Sequence, residues 1–304
     1  MHEEFDIDKS QRMISTLESL AVNQWFTDSI IPDVKFIRSN HSHHREPVKY
    51  TEGIVIILQG RKIAHLSGEK FTYDPYNYLA LSVPIAFECE TITSPGKPLL
   101  GISIKVTPAK VCDLLRKMNV SPPSDYEISR GMFSNPLPDC LLDAIYRLLV
   151  AANDPQDGLV LGPLIVDEII YMVLCSSQGE KLKALAAKHG RFHQIINVLN
   201  RMHEHYDEKY DIAQLAKSIG MSSTAFHNVF KAVTATSPLR YLKIIRLQKA
   251  KTLMVQDGLS ASLAATKVGY ESPSQFSREF SRFFGRSPTS EVARIKSLNV
   301  KKMD

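Results

Sequence analysis

The sequence lacks several features that would place it in other classes of protein. No run of about 18 apolar residues occurs, so no membrane-spanning helix is predicted. The acidic start MHEEFDIDKS has neither the basic nor the apolar segment of a signal peptide, which favours a cytoplasmic protein. No Ser/His/Asp arrangement or phosphate-binding glycine loop stands out, so we expect a protein that is not an enzyme and has no cofactor.

Residues that could bind a metal are few and scattered. The four cysteines, at 89, 112, 140 and 175, form no CxxC pair, and such cysteines are more often buried thiols than zinc ligands or disulfides. His41, His43 and His44 lie close to Glu46, in a polar stretch before the first predicted strand. A metal site needs ligands that converge on a rigid face, so a solvated loop is the favoured interpretation and no metal is predicted.

Charge is distributed unevenly along the chain. The segment from Gly190 to the end holds 18 of the 37 basic residues but only 9 of the 32 acidic ones. That segment therefore carries a net charge of +9 and the remainder −4, although the whole chain is at +5. Such asymmetry suggests that only one part of the protein meets a polyanion.

The N-terminal half predicts a β domain followed by helices. From 50 to 106, short apolar segments alternate with Gly and Pro turns at about ten-residue spacing, a pattern typical of a sandwich or small barrel. Apolar residues then recur at helical spacing within 138–152 and 163–177. We expect these helices to pack on the β domain, on each other or on a second subunit. The predicted domains are 1–180 and 190–300, with the junction in the polar segment 176–190.

Apolar residues on the predicted strands have two interpretations that the sequence leaves open. They either line a cavity for a small organic effector or simply fill the barrel. The candidate effector-binding residues are Ile56, Leu58, Phe71, Tyr73, Leu81 and Phe87.

The C-terminal segment contains a tandem repeat. Phe226, Phe230 and Pro238 recur 50 residues later as Phe276, Phe280 and Pro288. Each copy also has a small residue four positions before a glycine: Ala216 before Gly220, and Ala265 before Gly269. The small residue lets two helices cross closely, and the glycine can adopt the positive φ of a tight turn. The repeat therefore predicts two helix-turn-helix units, at about 212–233 and 261–284.

Helix-forming features support each unit. Ser222 or Ser223 and Ser272 are suitable N-caps for the second helix of each unit. The faces opposite the phenylalanines are polar, as expected of side chains that contact bases and phosphates in the major groove. A solvated face without a ligand is the alternative, and the tandem arrangement on a basic segment favours DNA. The candidate DNA-binding residues are Ser223, Thr224, His227, Asn228, Lys231, Ser274, Gln275, Ser277 and Arg278.

The segment 239–256 is predicted to be one helix joining the units. Its 18 residues span about 27 Å at about 1.5 Å each. One turn of B-DNA is about 34 Å, so the two recognition helices could enter successive major grooves, with some bending of the DNA.

Together these residues resemble the AraC/XylS family of transcription regulators. The likeness covers about 190–300 and rests on Gly269-Tyr270, Ser274, Phe276, Arg278, Phe280, Phe283 and Gly285 to Pro288. The stretches 57–62 and 71–79 resemble, less specifically, the cupin-like effector domain of such proteins.

The resemblance implies a multi-domain α+β protein with a cupin-like N-terminal barrel or sandwich and an all-α DNA-binding domain. It also implies an activator of transcription that binds double-stranded DNA, responds to a small organic effector and contacts RNA polymerase, with a homodimer left open. The first recognition helix would contact bases through Thr224, His227, Asn228 and Lys231, and the second would contact mainly phosphates. Many members have arginine where this chain has Asn228, and asparagine prefers adenine over guanine.

Overall fold

The structure is a computed structural model that describes residues 2–121, 130–187 and 190–300. It combines a β sandwich with flanking helices and a C-terminal region that is entirely helical, so the predicted α+β class is confirmed. The strands of the sandwich are β1 (Trp25–Asp28), β2 (Val34–Ser39), β3 (His43–Tyr50), β4 (Gly53–Gln59), β5 (Arg61–Leu66), β6 (Glu69–Tyr73), β7 (Asn77–Leu81), β8 (Ile85–Ile92), β9 (Leu99–Lys105) and β10 (Met132–Pro136).

These strands form two antiparallel sheets. The larger sheet has the order β1-β2-β9-β4-β7-β10, and the smaller has the order β3-β8-β5-β6. Strand β4 is buried over almost its whole length, as its uninterrupted run Ile54–Leu58 predicts for a strand covered on both faces. Strand β3 is polar because it is an edge strand, and this polarity is why the sequence does not predict it.

Helices of the N-terminal region pack on the larger sheet and on one another. They are α1 (His2–Leu20), α2 (Pro108–Lys117), α3 (Asp139–Ala152), α4 (Pro155–Leu174) and α5 (Glu180–Lys183), followed by a 3-10 turn at Ala184–Ala186. Helix α4 begins eight residues before the predicted start, and Pro163 lies inside it. Asp154 is its N-cap, accepting hydrogen bonds from the backbone N–H of Gln156 and Asp157.

The C-terminal region consists of seven helices in the described part of the chain. They are α6 (Gly190–Glu204), α7 (Ile212–Ser218), α8 (Ser223–Thr234), α9 (Pro238–Gln256), α10 (Ala261–Lys267), α11 (Pro273–Phe284) and α12 (Pro288–Val300). Helix α9 is the predicted joining helix, and α7–α8 and α10–α11 are the two predicted helix-turn-helix units.

The hydrophobic cores do not follow the predicted division of the chain. Phe226 and Phe230 of the first helix-turn-helix unit belong to one core that runs continuously into the sandwich. Phe276 and Phe280 of the second unit lie in a separate cluster around α10 and the C-terminal half of α9. The first unit therefore shares its core with the N-terminal domain, whereas the second has a core of its own and touches the sandwich through contacts of α11 with β3.

The predicted junction at 176–190 is packed in its described part. Leu182 and Leu185 are buried in the continuous core, while residues 188 and 189 lie outside the described residues. The boundaries 1–180 and 190–300 stay a prediction.

The cysteines are free thiols, and only Cys89 is buried. Cys140 and Cys175 are exposed, so the expectation of buried thiols is wrong for these two because they lie on the solvent side of their helical segments. Among the described residues, no helix has the length and apolar content needed to cross a membrane.

Candidate DNA-binding helices and interdomain cleft

The first helix-turn-helix unit has the predicted local geometry. Asp211 caps α7 by accepting hydrogen bonds from the backbone N–H of Ala213 and Gln214. Gly220 follows with φ of +70°, and Ser222 then caps α8 through the N–H of Ala225. The local sequence thus supplies partners for three N–H groups at the starts of α7 and α8.

Helix α8 separates its buried and exposed faces as predicted. Phe226, Phe230 and Val233 are buried in the core. The five candidate DNA-binding residues of this helix are all exposed: Ser223, Thr224, His227, Asn228 and Lys231. Their side chains form a polar face of the kind that enters a major groove.

The second unit repeats this construction. Ser260 caps α10, Ser272 caps α11, and Gly269 has φ of +82°. On α11, Ser274, Gln275 and Arg278 are exposed and Ser277 is half-buried. Phe276 and Phe280 are buried, whereas Phe283 is only partly covered because it borders a cleft.

Glu279 of α11 is a residue that the repeat pattern does not single out. Its carboxylate accepts hydrogen bonds from Tyr270 Oη at 2.9 Å, Lys243 Nζ at 2.9 Å and Gln275 Nε2 at 3.1 Å. Partial burial raises the pKa of Glu279, but the bonds from Lys243, Gln275 and Tyr270 outweigh it and lower the pKa overall. This bond uses one of the two amide hydrogens of Gln275 and orients its side chain on α11.

A chain of hydrogen bonds joins the sandwich to α6 and α9, the helices that flank the first helix-turn-helix unit in the chain. Tyr241 Oη of α9 donates to the carbonyl of Pro84 at 2.7 Å, so His203 Nε2–H of α6 donates to Tyr241 Oη at 2.8 Å. His203 Nδ1 is then an acceptor for Lys49 Nζ of β3 at 2.8 Å. Burial and the charges of Lys49 and Lys249 lower the pKa of His203 to about 3, and burial and Lys249 lower the pKa of Lys49 to about 8.

A cleft of about 690 Å³ lies between the two domains. The sandwich supplies residues of β3, β5 and β8, and the helical region supplies residues of α9 and α11. Its walls combine apolar side chains (Phe87, Ile244, Leu247 and Phe283) with basic ones (Arg45, Arg240, Lys243 and Arg282). Arg45 and Lys243 each have a carboxylate partner, Glu88 at 2.5 Å and Glu279 at 2.9 Å. The cleft is thus amphipathic and belongs to both domains.

Two family models match the chain. The model described as the AraC-type transcriptional regulator N-terminus matches residues 30–181, which is half of the chain, and a helix-turn-helix domain model matches residues 215–294. The chain belongs to the AraC family of transcriptional regulators. As a member of this family it is a sequence-specific DNA-binding regulator of transcription, and α7–α8 and α10–α11 are its DNA-binding units.

Relatives extend over most of the chain. The thermoregulatory protein LcrF of Yersinia pestis is 25% identical over 243 residues, which are 78% of this chain and 88% of LcrF. The virulence regulon transcriptional activator VirF of Yersinia enterocolitica is 24% identical over the same shares of each chain. The solved structure of wild-type ToxT from Vibrio cholerae with a bound unsaturated fatty acid has 11% sequence identity and a TM-score of 0.56, covering 89% of this chain and 95% of ToxT. The likeness to ToxT shows a shared fold.

The six candidate effector-binding residues of this AraC-family chain do not form one lining. Five of them are buried and Phe71 is half-buried. The strand register places Phe71, Tyr73 and Phe87 on one face of the smaller sheet. Ile56 and Leu81 lie on opposite faces of the larger sheet, because Leu81 pairs with Gly53 and Ala80 with Ile54. Phe87 also lines the interdomain cleft.

Lys62 is a buried charge inside the sandwich that the sequence patterns do not single out. It is 4% exposed, and its Nζ lies 5.7 Å from the ring centroid of Tyr50 and 5.9 Å from that of Trp25. Tyr50 Oη is 3.1 Å from Tyr73 Oη, which is 3.1 Å from Cys89 Sγ. Alternation along the strand places Lys62 on the same face as Ala64 and Leu66, and this pattern could have predicted its burial.

The histidine-rich segment is a strand and not the expected loop. His43 begins β3, stacks against Trp25 with ring centroids 4.6 Å apart, and lies 3.8 Å from Glu46. His41 and His44 are exposed. Within the described part of the chain, no three His, Cys, Asp or Glu side chains converge as metal ligands would.

Proposed function

We propose that this chain is a cytoplasmic transcription activator, and not an enzyme, whose DNA binding is gated by a small organic effector. Its relative VirF is named a transcriptional activator. Activation implies that RNA polymerase is a partner of the DNA-bound form. Gating of DNA binding by an effector is supported by the cleft, whose walls come from both domains.

The two recognition helices have different roles in this proposal. Helix α8 contacts base edges through Thr224, His227 and Asn228, whose amide and imidazole groups can both donate and accept hydrogen bonds. Arg278 of α11 contacts phosphate, since it is exposed and carries a permanent charge. The first unit therefore supplies most of the sequence preference, and the second supplies affinity.

The effector is an amphipathic anion held in the interdomain cleft. A volume of about 690 Å³ is within the usual range of about 300–1,000 Å³ for small-molecule sites. The apolar side chains would cover a hydrocarbon chain, and Arg45, Arg240 and Arg282 would face its acidic group. ToxT, which shares the fold, binds an unsaturated fatty acid. This site lies outside the sandwich, so it is compatible with a sandwich interior that Phe71 and Tyr73 simply fill.

Gating follows from where the cleft lies. An effector changes DNA affinity only if it binds two arrangements of the domains with different affinity. A ligand between β8 and α9 contacts the helix that carries Tyr241 and the strand that directly follows Pro84, and these two residues are joined by a hydrogen bond. We expect a coupling of about 1–3 kcal/mol, which is about 5–150-fold in DNA affinity.

Oleate is the probe for the first test. Affinity for a fluorescent duplex, selected by the protein from a random pool, is measured with and without oleate, and with neutral methyl oleate as the ligand control. We expect oleate to change the affinity at least about fivefold and methyl oleate to have little effect.

Arg45→Gln and Lys70→Gln give a matched pair of variants for this test. Both remove one positive charge from the smaller sheet, but only Arg45 lines the cleft. Arg45→Gln should reduce the response to oleate, and Lys70→Gln should keep it. Saturation by oleate without a change in DNA affinity would contradict gating, and an equal loss in both variants would contradict the cleft as its site.

A homodimer is the second part of the proposal. Helix α4 exposes a group of large apolar side chains: Leu159, Val160, Leu161, Leu164 and Tyr171. Asp157 and Glu168 of α4 and Arg147 of α3 border this group, so the surface carries both charges and can complement itself across a two-fold axis. Large exposed apolar patches with polar rims are typical of protein interfaces.

A further inference from the structure

The loop between α6 and α7 touches the turn of the second helix-turn-helix unit. A Cβ atom placed on Gly269 would lie 2.3 Å from the carbonyl oxygen of Asp207, so the two backbones are in direct contact. Lys209 of the loop also forms an ion pair with Glu271, just beyond the turn. We call residues 206–209 and 269–271 the junction of the two units.

Arg246 of α9 ties both sides of the junction together. Its Nε donates to the carbonyl of Tyr206 at 2.7 Å and its Nη2 to the carbonyl of Glu208 at 2.7 Å, both in the first unit's loop. Its Nη1 donates to the carbonyl of Gly269 at 3.0 Å, in the second unit's turn. The planar guanidinium with five donors suits three acceptors in fixed directions, which a lysine ammonium cannot match.

The junction is the place where the two hydrophobic cores meet. Tyr206 packs against both the continuous core and the cluster of the second unit. Lys249, one turn beyond Arg246 on α9, lies 5.3 Å from the centroid of the Tyr206 ring. Half-burial of Arg246 lowers the pKa of its guanidinium, and the hydrogen-bonded carbonyls replace the water that it loses.

We infer that Arg246 sets the separation and rotation of the two recognition helices, and thereby the spacing of DNA half-sites that the protein accepts. Helix α9 has 19 residues and spans about 28 Å, and it connects one body to another that has its own core. One inserted base pair moves a half-site by about 3.4 Å and rotates it by about a tenth of a turn. A pair of units held by Arg246 cannot follow that movement without strain, whereas a loosened pair can. This inference rests on DNA contact by both units.

The test compares half-site spacings in the full-length chain. The probe is the duplex selected by the wild-type protein from a random pool, together with the same duplex carrying one or two extra base pairs between its half-sites. The isolated first half-site is the third probe. We expect the wild-type protein to prefer the selected spacing by at least about tenfold, and Arg246→Ala to reduce that preference at least about threefold.

Two readouts separate a positioning role from other roles. Affinity of Arg246→Ala for the isolated first half-site should stay at the wild-type value, because Arg246 lies outside α8. The slope of log affinity against log salt should also stay unchanged, whereas the phosphate contact proposed for Arg278 predicts a fall of about 1 in Arg278→Ala.

Arg246→Lys and Lys209→Ala keep the inference testable if Arg246→Ala folds poorly. Arg246→Lys retains the charge but not the planar set of N–H donors, so it should also lose spacing preference. Lys209→Ala should show a smaller loss in the same direction. An unchanged spacing preference in these variants, or a salt slope that falls as in Arg278→Ala, would overturn the inference.

Discussion

The two turn glycines, Gly220 and Gly269, form a matched pair for substitution by alanine. Both have φ between +70° and +82°, which costs an alanine about 1–2 kcal/mol. Alanine also makes the unfolded chain less flexible, which offsets about 0.4–1 kcal/mol of this cost. At Gly220 the new Cβ meets nothing within 4 Å, so the net cost should be about 0–1.6 kcal/mol.

Gly269→Ala should cost considerably more, because the new methyl group collides with the backbone of the junction. The Asp207 carbonyl oxygen would have to retreat from 2.3 Å, and its neighbours Tyr206 and Glu208 both accept hydrogen bonds from Arg246. Losing one hydrogen bond to a charged group costs about 1.5–3 kcal/mol. Added to the strain of positive φ, the expected total is about 3 kcal/mol.

Amide hydrogen exchange is the suitable assay, since a two-domain chain has no single free energy of unfolding. A cost of about 3 kcal/mol should speed exchange in α10 and α11 about a hundredfold in Gly269→Ala, while α8 is unaffected. Gly220→Ala should speed exchange in α7 and α8 by about fifteenfold at most. Equal effects of the two substitutions would refute the close approach of Asp207 to Gly269.

Three further predictions concern DNA, pH and assembly. Arg278→Ala should weaken binding to all duplexes and lower the slope of log affinity against log salt by about 1, whereas Asn228→Ala should relax the preference at one base pair by about 1–3 kcal/mol. Both are checked by titrations of the selected duplex and its single-base variants between 50 and 200 mM salt. Unchanged specificity in Asn228→Ala would contradict the role of α8. Lowering the pH from 7 to 5 should destabilise the protein, because His203 has a pKa of about 3 when folded and about 6.5 when unfolded, so only the unfolded chain takes up the proton. The stability that neutral His203 provides is complete above about pH 6.5 and is lost progressively towards pH 3. The midpoint of urea unfolding should therefore fall less between pH 7 and pH 5 in His203→Gln than in the wild-type protein. Equal falls in the two proteins would contradict the hydrogen-bond chain. Leu164→Glu, which changes a side chain that is 64% exposed, should lower the mass measured by sedimentation, and a monomeric wild-type protein would contradict the dimer.

Local chemistry explains why the C-terminal units were predictable from the sequence. The caps at Ser222 and Ser272 and the positive φ at Gly220 and Gly269 each depend on a few neighbouring residues, and the repeat presents the same signals twice. Such features do not require knowledge of the rest of the fold.

Non-local contacts explain what the sequence patterns do not predict. Lys49 and His203 are 154 residues apart, and Arg246 bonds to carbonyls 23 to 40 residues away, so no local spacing marks either. Strand β3 gives no alternating pattern because its residues lie at a sheet edge. The predicted start of α4 at 163 is wrong because Asp154-Pro155 is the pair that caps and begins the helix.

Whether both helix-turn-helix units bind specific DNA sequences can be measured by selection of duplexes from a random pool with the full-length protein, at one stated salt concentration. The whole chain is needed because the core of the first unit continues into the sandwich. Two recognition helices in successive major grooves should enrich duplexes with two short conserved elements whose centres lie about 10 base pairs apart. A folded protein that enriches no sequence over the starting pool would contradict it.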